Sequence, residues 1–209
     1  MTALSITVVS DVMCPWCLIG TERLFQALAR RPEITTEIEY APFLLEPDMP
    51  AEGADLRARL RKKYGGDPES MFGRVEAAAR DVGIDLDFGK IRRAPSTIGA
   101  HVLLGKAKAR GTQVALARAL FQAYFLEGRD VGDPAVLAGV ACAHGFSADE
   151  TTALVTSDEE RAAVREEARD VAAQGVSGVP LFIFAERFAV SGAQPLDVFL
   201  RAIDQATAA

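Results

Sequence analysis

Two cysteines separated by two residues are the part of this sequence with the clearest chemical capacity. Cys14 and Cys17 enclose Pro15 and Trp16, directly after a β-like run and at the start of a helix-like run. A Cys-x-x-Cys pair in that setting is typical of redox proteins that form and break a disulfide. The sequence therefore predicts thiol–disulfide exchange, with a Cys14–Cys17 disulfide as the redox-active group.

Half of a zinc site is the alternative interpretation of the same cysteines. A structural zinc ion normally has four Cys or His ligands, usually with a second closely spaced pair. This chain has no second pair, and the other candidates, Cys142, His101 and His144, are scattered along the sequence, although folding could still gather them. On spacing we expect no metal site.

The order of residues predicts a different role for each cysteine. If Cys14 is the N-cap, Pro15 takes the first helical position, where its missing N–H costs nothing. The Cys14 sulfur then faces the free N–H groups of Trp16 and Cys17 and the positive end of the helix dipole, which favour a thiolate. We expect Cys14 to be the nucleophile and the more buried Cys17 to resolve the mixed disulfide. Trp16, the only tryptophan, is expected at the surface as a docking face.

Composition and charge narrow the classes of partner. The chain has 209 residues, 49% of them hydrophobic, and a formal net charge of −6. A chain with this charge is not expected to bind nucleic acid or an anionic membrane. The basic run at residues 57–63 is interrupted by Leu60 and flanked by acidic residues, so we interpret it as a solvated helix face.

The first residues and the third cysteine bear on location. No apolar run reaches the length of a transmembrane helix. The first residues lack the basic segment and cleavage site of a secretory signal, so we expect a cytoplasmic protein. In that compartment a lone Cys-x-x-Cys is more often catalytic than structural. Cys142 lies in an apolar, helix-like segment and is expected to be a small buried hydrophobe.

Three sections of the chain predict the elements that position the cysteines. Residues 4–8 and 34–40 alternate as strands on either side of a helix at residues 15–30, which predicts a parallel β-α-β unit. Residues 47–174 lack strand signals and carry helix punctuation instead. The N-cap signals are Asp67-Pro68, Asp133-Pro134, Ser147 with Glu150 and Ser157 with Glu160, and the C-terminal stops are Gly83, Gly111, Gly128, Gly145 and Gly175.

The last section returns to strands. Residues 181–184 are a buried-strand run, residues 188–190 can pair back on them, and Pro195 opens an amphipathic helix. The order β-α-β, many helices, β-β-α predicts an α/β, thioredoxin-like fold with a large all-α domain inserted between its halves. We assign residues 1–46 and 175–209 to the discontinuous thioredoxin-like domain and residues 47–174 to the helical insertion domain.

Val179-Pro180 stands immediately before the buried strand of the second half. Pro180 could simply begin that strand, which is the ordinary role of such a proline. Beside a Cys-x-x-Cys on a β-α-β unit, a cis Val179–Pro180 bond is favoured instead. It would present the backbone N–H and C=O of Val179 to an extended substrate segment and leave the wall beside the sulfurs unreactive.

Two further residues have alternative interpretations. Asp11 lies three residues before Cys14, where its carboxylate could transfer a proton during resolution by Cys17. It could equally cap the turn, which we favour. His101 falls on a helix predicted at residues 97–109 and could approach the site, but a packing or surface role is favoured for it.

Several segments together resemble one protein family. They are SDVMCPWCLIG, PFLLEPDMP, IRRAPSTIGAH, AYFLEGRDVGDP, GVSGVPLFIF and AVSGAQP. Over essentially its whole length the chain resembles the FrnE-like branch of the DsbA family of thioredoxin-fold oxidoreductases, which is related to 2-hydroxychromene-2-carboxylate isomerases and kappa-class glutathione transferases. The resemblance implies a catalytic pair at Cys14 and Cys17, a cis Pro180 preceded by Val179, and an inserted helical domain.

Departures from the family's pattern bear on glutathione. Glu46 and Ser96 stand where the family commonly has Asn, in the neighbourhood that forms the thiol-substrate site of the glutathione-using relatives. Those relatives generally carry Ser at the position of Cys14. Keeping both cysteines favours dithiol–disulfide exchange and leaves glutathione open as a reductant or substrate.

Three hypotheses follow. The first is a protein disulfide oxidoreductase or isomerase without a tightly bound cofactor, acting on a disulfide- or thiol-containing protein or small molecule. The second is a glutathione-dependent isomerase or transferase, and the third is a non-enzymatic metal-binding or interaction module. The direction of electron flow, and the choice between monomer and homodimer, stay open at this point.

Overall fold

Along the chain, short strands come before and after a long run of helices. The structure is a computed structural model that describes residues 3–208. In chain order its elements are β1 (Leu4–Ser10), α1 (Pro15–Leu28), β2 (Thr36–Pro42), β3 (Ala54–Asp55), α2 (Leu56–Tyr64), α3 (Pro68–Arg80), β4 (Arg93–Ala94), α4 (Ile98–Ala109), α5 (Gln113–Phe121), α6 (Pro134–Ala141), α7 (Ala148–Thr156), α8 (Asp158–Ala173), β5 (Leu181–Phe184), β6 (Phe188–Ser191) and α9 (Leu196–Thr207). Single 3-10 turns lie at Phe88–Lys90 and Cys142–His144, and a π-helical turn lies at Gln122–Leu126.

The central sheet combines strands from the early and late parts of the chain. Its order is β2-β1-β5-β6, with β1 parallel to β2 and β5 antiparallel to both β1 and β6. Because α1 crosses between the parallel strands and α9 follows the antiparallel pair, the order is β-α-β then β-β-α. This confirms the predicted α/β, thioredoxin-like fold class. The assignment of residues 47–174 to a separate domain stays a prediction.

Apolar side chains hold the sheet against α1 and α9, which also contact each other. Ile6 and Val8 of β1 are fully buried, and they pair in register with Phe184 and Phe182 of β5. The Phe182 ring meets Phe199 of α9 edge to face, with ring centroids 4.9 Å apart. Burying side chains of this size contributes about 1.5–3 kcal/mol each to the stability of the fold. This packing holds the cysteine-bearing helix α1 in place on the sheet.

The segment predicted to be entirely helical contains one small strand pair. Ala54 pairs with Ala94 and Asp55 with Arg93 in antiparallel register. Two-residue strands are too short to produce a readable alternation, which is why periodicity missed them. Gly53 makes the pair feasible: its φ is +69°, and a Cβ there would lie 2.5 Å from the carbonyl oxygen of Ala94.

Local capping signals were reliable. Asp67, Asp133, Ser147 and Ser157 each accept a backbone N–H hydrogen bond at the start of their helices. All five glycines predicted as helix stops have positive φ. These signals succeed because each depends only on residues within one turn of the helix end.

The expectation of a buried Cys142 was wrong. Helix α6 directs Leu137, Val140 and Ala141 into the core, and Cys142 follows in the 3-10 turn with its side chain exposed. The run is apolar on both sides of the helix, so composition did not reveal which side faces inward. Within residues 3–208, no helix has the length and apolar character needed to cross a membrane.

Candidate active site

Cys14 lies at the N-cap of α1, as predicted, and Pro15 occupies the first helical position. The sulfur does not behave as predicted, because it receives no hydrogen bond from the first turn of the helix. The N–H of Cys17 bonds instead to the carbonyl oxygen of Cys14, at 3.0 Å. The Cys14 thiol donates to the carbonyl oxygen of Val179, at 3.8 Å. The Cys14 sulfur therefore points across the site toward the loop before β5.

Cys17 is the more protected of the two thiols. It is 0% exposed against 4% for Cys14, and no disulfide joins the two. Burial raises the pKa of the Cys17 thiol well above its usual value, and the neighbouring Cys14 sulfur adds to this. The Ser10 side chain and the Asp11 backbone act in the opposite direction on the same pKa. A thiol that stays protonated behind an outer thiol is suited to act second.

The wall opposite Cys14 is the Val179–Pro180 segment, and its peptide bond is cis, as predicted. Pro180 and Phe182 approach α1 at Gly20, where an added Cβ would lie 3.1 Å from Pro180 Cγ and 3.0 Å from Phe182 Cζ. A glycine at this position lets the helix rest directly on the loop. Sequence reasoning missed Gly20, since an isolated glycine inside a helix carries no signal of what packs against it.

An apolar pocket opens beside Cys14. We use this name for the cavity of about 270 Å³ lined by Leu60, Phe72, Val75, Phe88, Tyr124 and Phe125, with Met13, Cys14 and Val179 on its inner side. The rings of Phe72 and Phe88 stack within it, with centroids 4.2 Å apart. Trp16, 39% exposed, also lines this pocket, so its surface position agrees with the prediction, and its use as a docking face stays a prediction. Helices α2 and α3 thus cover the cysteine site with an apolar surface.

Three charged residues form the mouth of this pocket, and we call them the charged cluster. Glu46 accepts hydrogen bonds from Arg59 and Lys63, the latter at 2.7 Å from Nζ to Oε1. Burial opposes ionisation of Glu46, but the two cations together hold the pKa of its carboxyl below the usual value. The basic run at residues 57–63 is therefore not simply a solvated face, because two of its members turn toward the site.

Asp11 and His101 meet behind the cysteine loop. Asp11 is fully buried, and its carboxylate accepts the N–H of Met13 at 3.3 Å and that of Leu45 at 2.8 Å. The ring of His101, from α4, is also buried and brings Nε2 to 3.5 Å from Asp11 Oδ1. The favoured interpretation of Asp11 as a turn cap is confirmed, and His101 packs inside rather than at the surface. The pair connects the cysteine loop to the helical segment.

Replacing Asp11 with alanine is expected to destabilise the protein by about 2–6 kcal/mol. The change leaves the N–H groups of the half-buried residues Met13 and Leu45 without acceptors, at about 1–3 kcal/mol each. Urea unfolding followed by circular dichroism measures the loss, with the exposed carboxylate of Asp48 as the matched control in Asp48→Ala. Equal stabilities of the two variants would contradict the capping role.

The alternative of a metal site finds no cluster to support it. Among residues 3–208, no group of three or more His, Cys, Asp or Glu side chains is arranged to hold a metal ion. The two cysteines lie among apolar side chains and backbone groups instead.

Comparisons with known proteins agree with the fold described above. A sequence profile described as the DSBA-like thioredoxin domain matches residues 5–204. The crystal structure of a "probable DsbA oxidoreductase" of Streptomyces coelicolor is 31% identical, with a TM-score of 0.85 over 97% of this chain and 89% of that one. A 2-hydroxychromene-2-carboxylate isomerase has a TM-score of 0.73 at 16% identity, over 96% of this chain and 95% of its own. The cytosolic disulfide reductase DsbM of Pseudomonas aeruginosa, solved with GSH, has a TM-score of 0.66 at 16% identity, over 96% and 98%.

Proposed function

The chain belongs to the DSBA-like thioredoxin domain family, and from that premise we propose that it is a thiol–disulfide oxidoreductase or isomerase that works through Cys14 and Cys17. One observation carries the proposal: an outer thiol at the N-cap of α1 faces the Val179 carbonyl, with a fully buried thiol one turn behind it. This difference in position supports Cys14 as the nucleophile and Cys17 as the resolving group.

The reaction on a substrate disulfide has two steps. The Cys14 thiolate attacks one substrate sulfur, so that the substrate S–S bond breaks, a mixed disulfide forms and one substrate thiolate leaves. Cys17 then gives its proton to the substrate thiolate released in the first step and attacks Cys14 Sγ, which releases the second substrate sulfur as a thiolate and forms the Cys14–Cys17 disulfide. Two electrons pass to the substrate, and the reverse sequence oxidises a dithiol.

The substrate is proposed to enter between Trp16 and the Val179–Pro180 segment. The Val179 carbonyl already accepts the Cys14 thiol, so a substrate sulfur bound to Cys14 would lie next to that backbone group. We propose reduction or isomerisation in the cytoplasm, with a small cellular thiol as the source of electrons. The fold shared with a cytosolic disulfide reductase supports this direction.

The test is equilibration with glutathione redox buffers, followed by Trp16 fluorescence and mass spectrometry of alkylated peptides. We expect an intramolecular Cys14–Cys17 disulfide with a reduction potential at or below the cytosolic glutathione poise of about −220 to −260 mV. A potential near −120 mV would instead indicate an oxidant. Failure to form the intramolecular disulfide would contradict the proposal.

The apolar pocket favours one second candidate, a glutathione-dependent isomerase or transferase of a small aromatic molecule. That function requires saturable glutathione binding, and it leaves Cys17 dispensable because glutathione itself supplies the thiolate. Isothermal titration with reduced glutathione, together with the activity of Cys17→Ser, separates it from disulfide exchange. The third hypothesis, a metal-binding module, requires stoichiometric zinc in the purified protein, which elemental analysis measures.

A further inference from the structure

The charged cluster at the mouth of the apolar pocket has no part in the exchange chemistry. Arg59 and Lys63 are four residues apart on α2, so they project from one side of that helix. Glu46, from the segment after β2, reaches both of them. A structural ion pair needs one cation for one carboxylate, whereas here two cations converge on one carboxylate beside the nucleophile.

Glu46 pairs with both cations, and its own side chain is largely buried. Its side chain is 8% exposed, against 34% for Arg59 and 31% for Lys63. Each oxygen of the carboxylate has its own partner, Oε2 with Arg59 and Oε1 with Lys63, and Lys63 also donates to the carbonyl oxygen of Leu45. Glu46 therefore offsets one of the two positive charges that would attract a substrate carboxylate, and the cluster keeps a net positive charge.

The interior of the apolar pocket presents little to a polar ligand. Apart from the charged cluster, its walls are mainly aliphatic and aromatic. Of its two phenols, Tyr64 is 58% exposed, and the buried Tyr124 donates its hydroxyl to the carbonyl oxygen of Arg93 at 2.9 Å. A volume of about 270 Å³ corresponds to roughly nine water molecules. The pocket has room for one aromatic ring or branched apolar group attached close to the sulfur that meets Cys14.

We propose that Glu46 is a specificity-determining residue: by offsetting one of the two positive charges at the pocket mouth, it weakens the attraction for carboxylated thiols such as glutathione, so that the site selects the group beside the reacting sulfur for its fit to the apolar walls. The inference rests on the proposed disulfide exchange through Cys14. It selects the substrate class for that site, a thiol or disulfide with an aromatic or branched apolar neighbour, whether a protein side chain or part of a small molecule.

Two aryl disulfides that differ in charge test the proposal. They are the neutral 4,4′-dithiodipyridine and the dicarboxylate 5,5′-dithiobis(2-nitrobenzoate), each of which releases a coloured thiol. One equivalent of reduced protein converts one disulfide to two thiols as Cys14–Cys17 closes, so no other reductant is needed. The measured quantity is the ratio of second-order rate constants, carboxylated over neutral, in each variant relative to the wild type.

Glu46→Gln keeps the size of the side chain and frees the two cations, so we expect the ratio to rise roughly three- to tenfold. Arg59→Gln removes a cation and is expected to lower it. Glu69→Gln is the matched control, since Glu69 pairs with Arg57 at 2.7 Å and does not line the pocket. Its ratio is expected to stay within twofold of the wild type.

An unchanged ratio in both Glu46→Gln and Arg59→Gln would overturn the proposal, and so would equal shifts in Glu46→Gln and Glu69→Gln. If Glu46→Gln fails to fold, the fall expected for Arg59→Gln and for Lys63→Gln still decides the question. If the reduced wild type reacts with neither disulfide, it is the proposed exchange activity that fails, which is a different result.

Peptide disulfides with Phe or Glu next to the cysteine separate the two sources of the apolar group. Faster reduction of the Phe peptide supports a protein substrate, and a preference confined to aryl disulfides supports a small molecule. Equal rates within both pairs of substrates would contradict the inference.

Discussion

Replacing Cys14 with serine is expected to abolish disulfide exchange, with a loss of about 10³-fold or more in rate. The thiolate is the attacking species, and a serine hydroxyl does not ionise near neutral pH. Serine is a favoured N-cap residue, so α1 should keep its start and the protein its fold. Reduction of insulin disulfides in the presence of dithiothreitol, followed by turbidity, measures the loss.

Two cysteine variants serve as references for this experiment. Cys17→Ser should still attack the substrate but should stall as a mixed disulfide at Cys14, visible as a mass increase that dithiothreitol removes. Cys142→Ser is the matched control, because Cys142 is exposed and lies outside the site. Full activity in Cys14→Ser would show that another group is the nucleophile.

Replacing Phe182 with alanine is expected to destabilise the protein by about 3–5 kcal/mol, a large part of the free energy of unfolding of an ordinary domain. Phe182 is 0% exposed, its ring meets Phe199, and it lies against α1 at Gly20. The cavity would open directly behind the cysteine helix. Activity at temperatures where the variant stays folded should also fall, because α1 would be free to shift relative to Val179.

Phe188→Ala is the matched control for that experiment. Phe188 lies on β6, half-buried, and stacks on Phe184 with centroids 5.6 Å apart. We expect it to cost less than about 2 kcal/mol, since part of its ring is already in contact with water. Urea unfolding monitored by circular dichroism gives both values. A Phe182→Ala variant within 1 kcal/mol of the wild type would show that the α1–β5 contact relaxes without loss.

The features that could be predicted from the sequence depend on residues that are close together in the chain. Cys14 followed by Pro15 marks a helix start because the cap and the first position are adjacent in the chain. Alternation at residues 4–8 and 34–40 predicted the parallel pair, because a strand's faces are set by its own period of two. Val179–Pro180 was predicted from its place before a buried strand and beside the redox motif.

The features that sequence reasoning missed depend on distant residues meeting. Glu46 was noted as a departure from a family pattern, but its pairing with Arg59 and Lys63 needs α2 to fold back over the site. The approach of His101 to Asp11 likewise depends on how α4 packs. The sequence pattern within one helix or strand does not predict such contacts, because each depends on how whole elements pack against one another.

The order of strands in the sheet has a consequence for how the protein is made. The inner strand β1 pairs with β5, which follows the long helical segment in the chain. At about 5–20 residues per second, a ribosome needs roughly ten to thirty seconds between the cysteines and the wall that faces them. During that interval the sheet beneath α1 is incomplete, so both thiols are open to oxidation or to reaction with the disulfides of other molecules. Safe synthesis therefore depends on a reducing environment around the nascent chain, or on helices that shelter the dithiol before the last strands emerge.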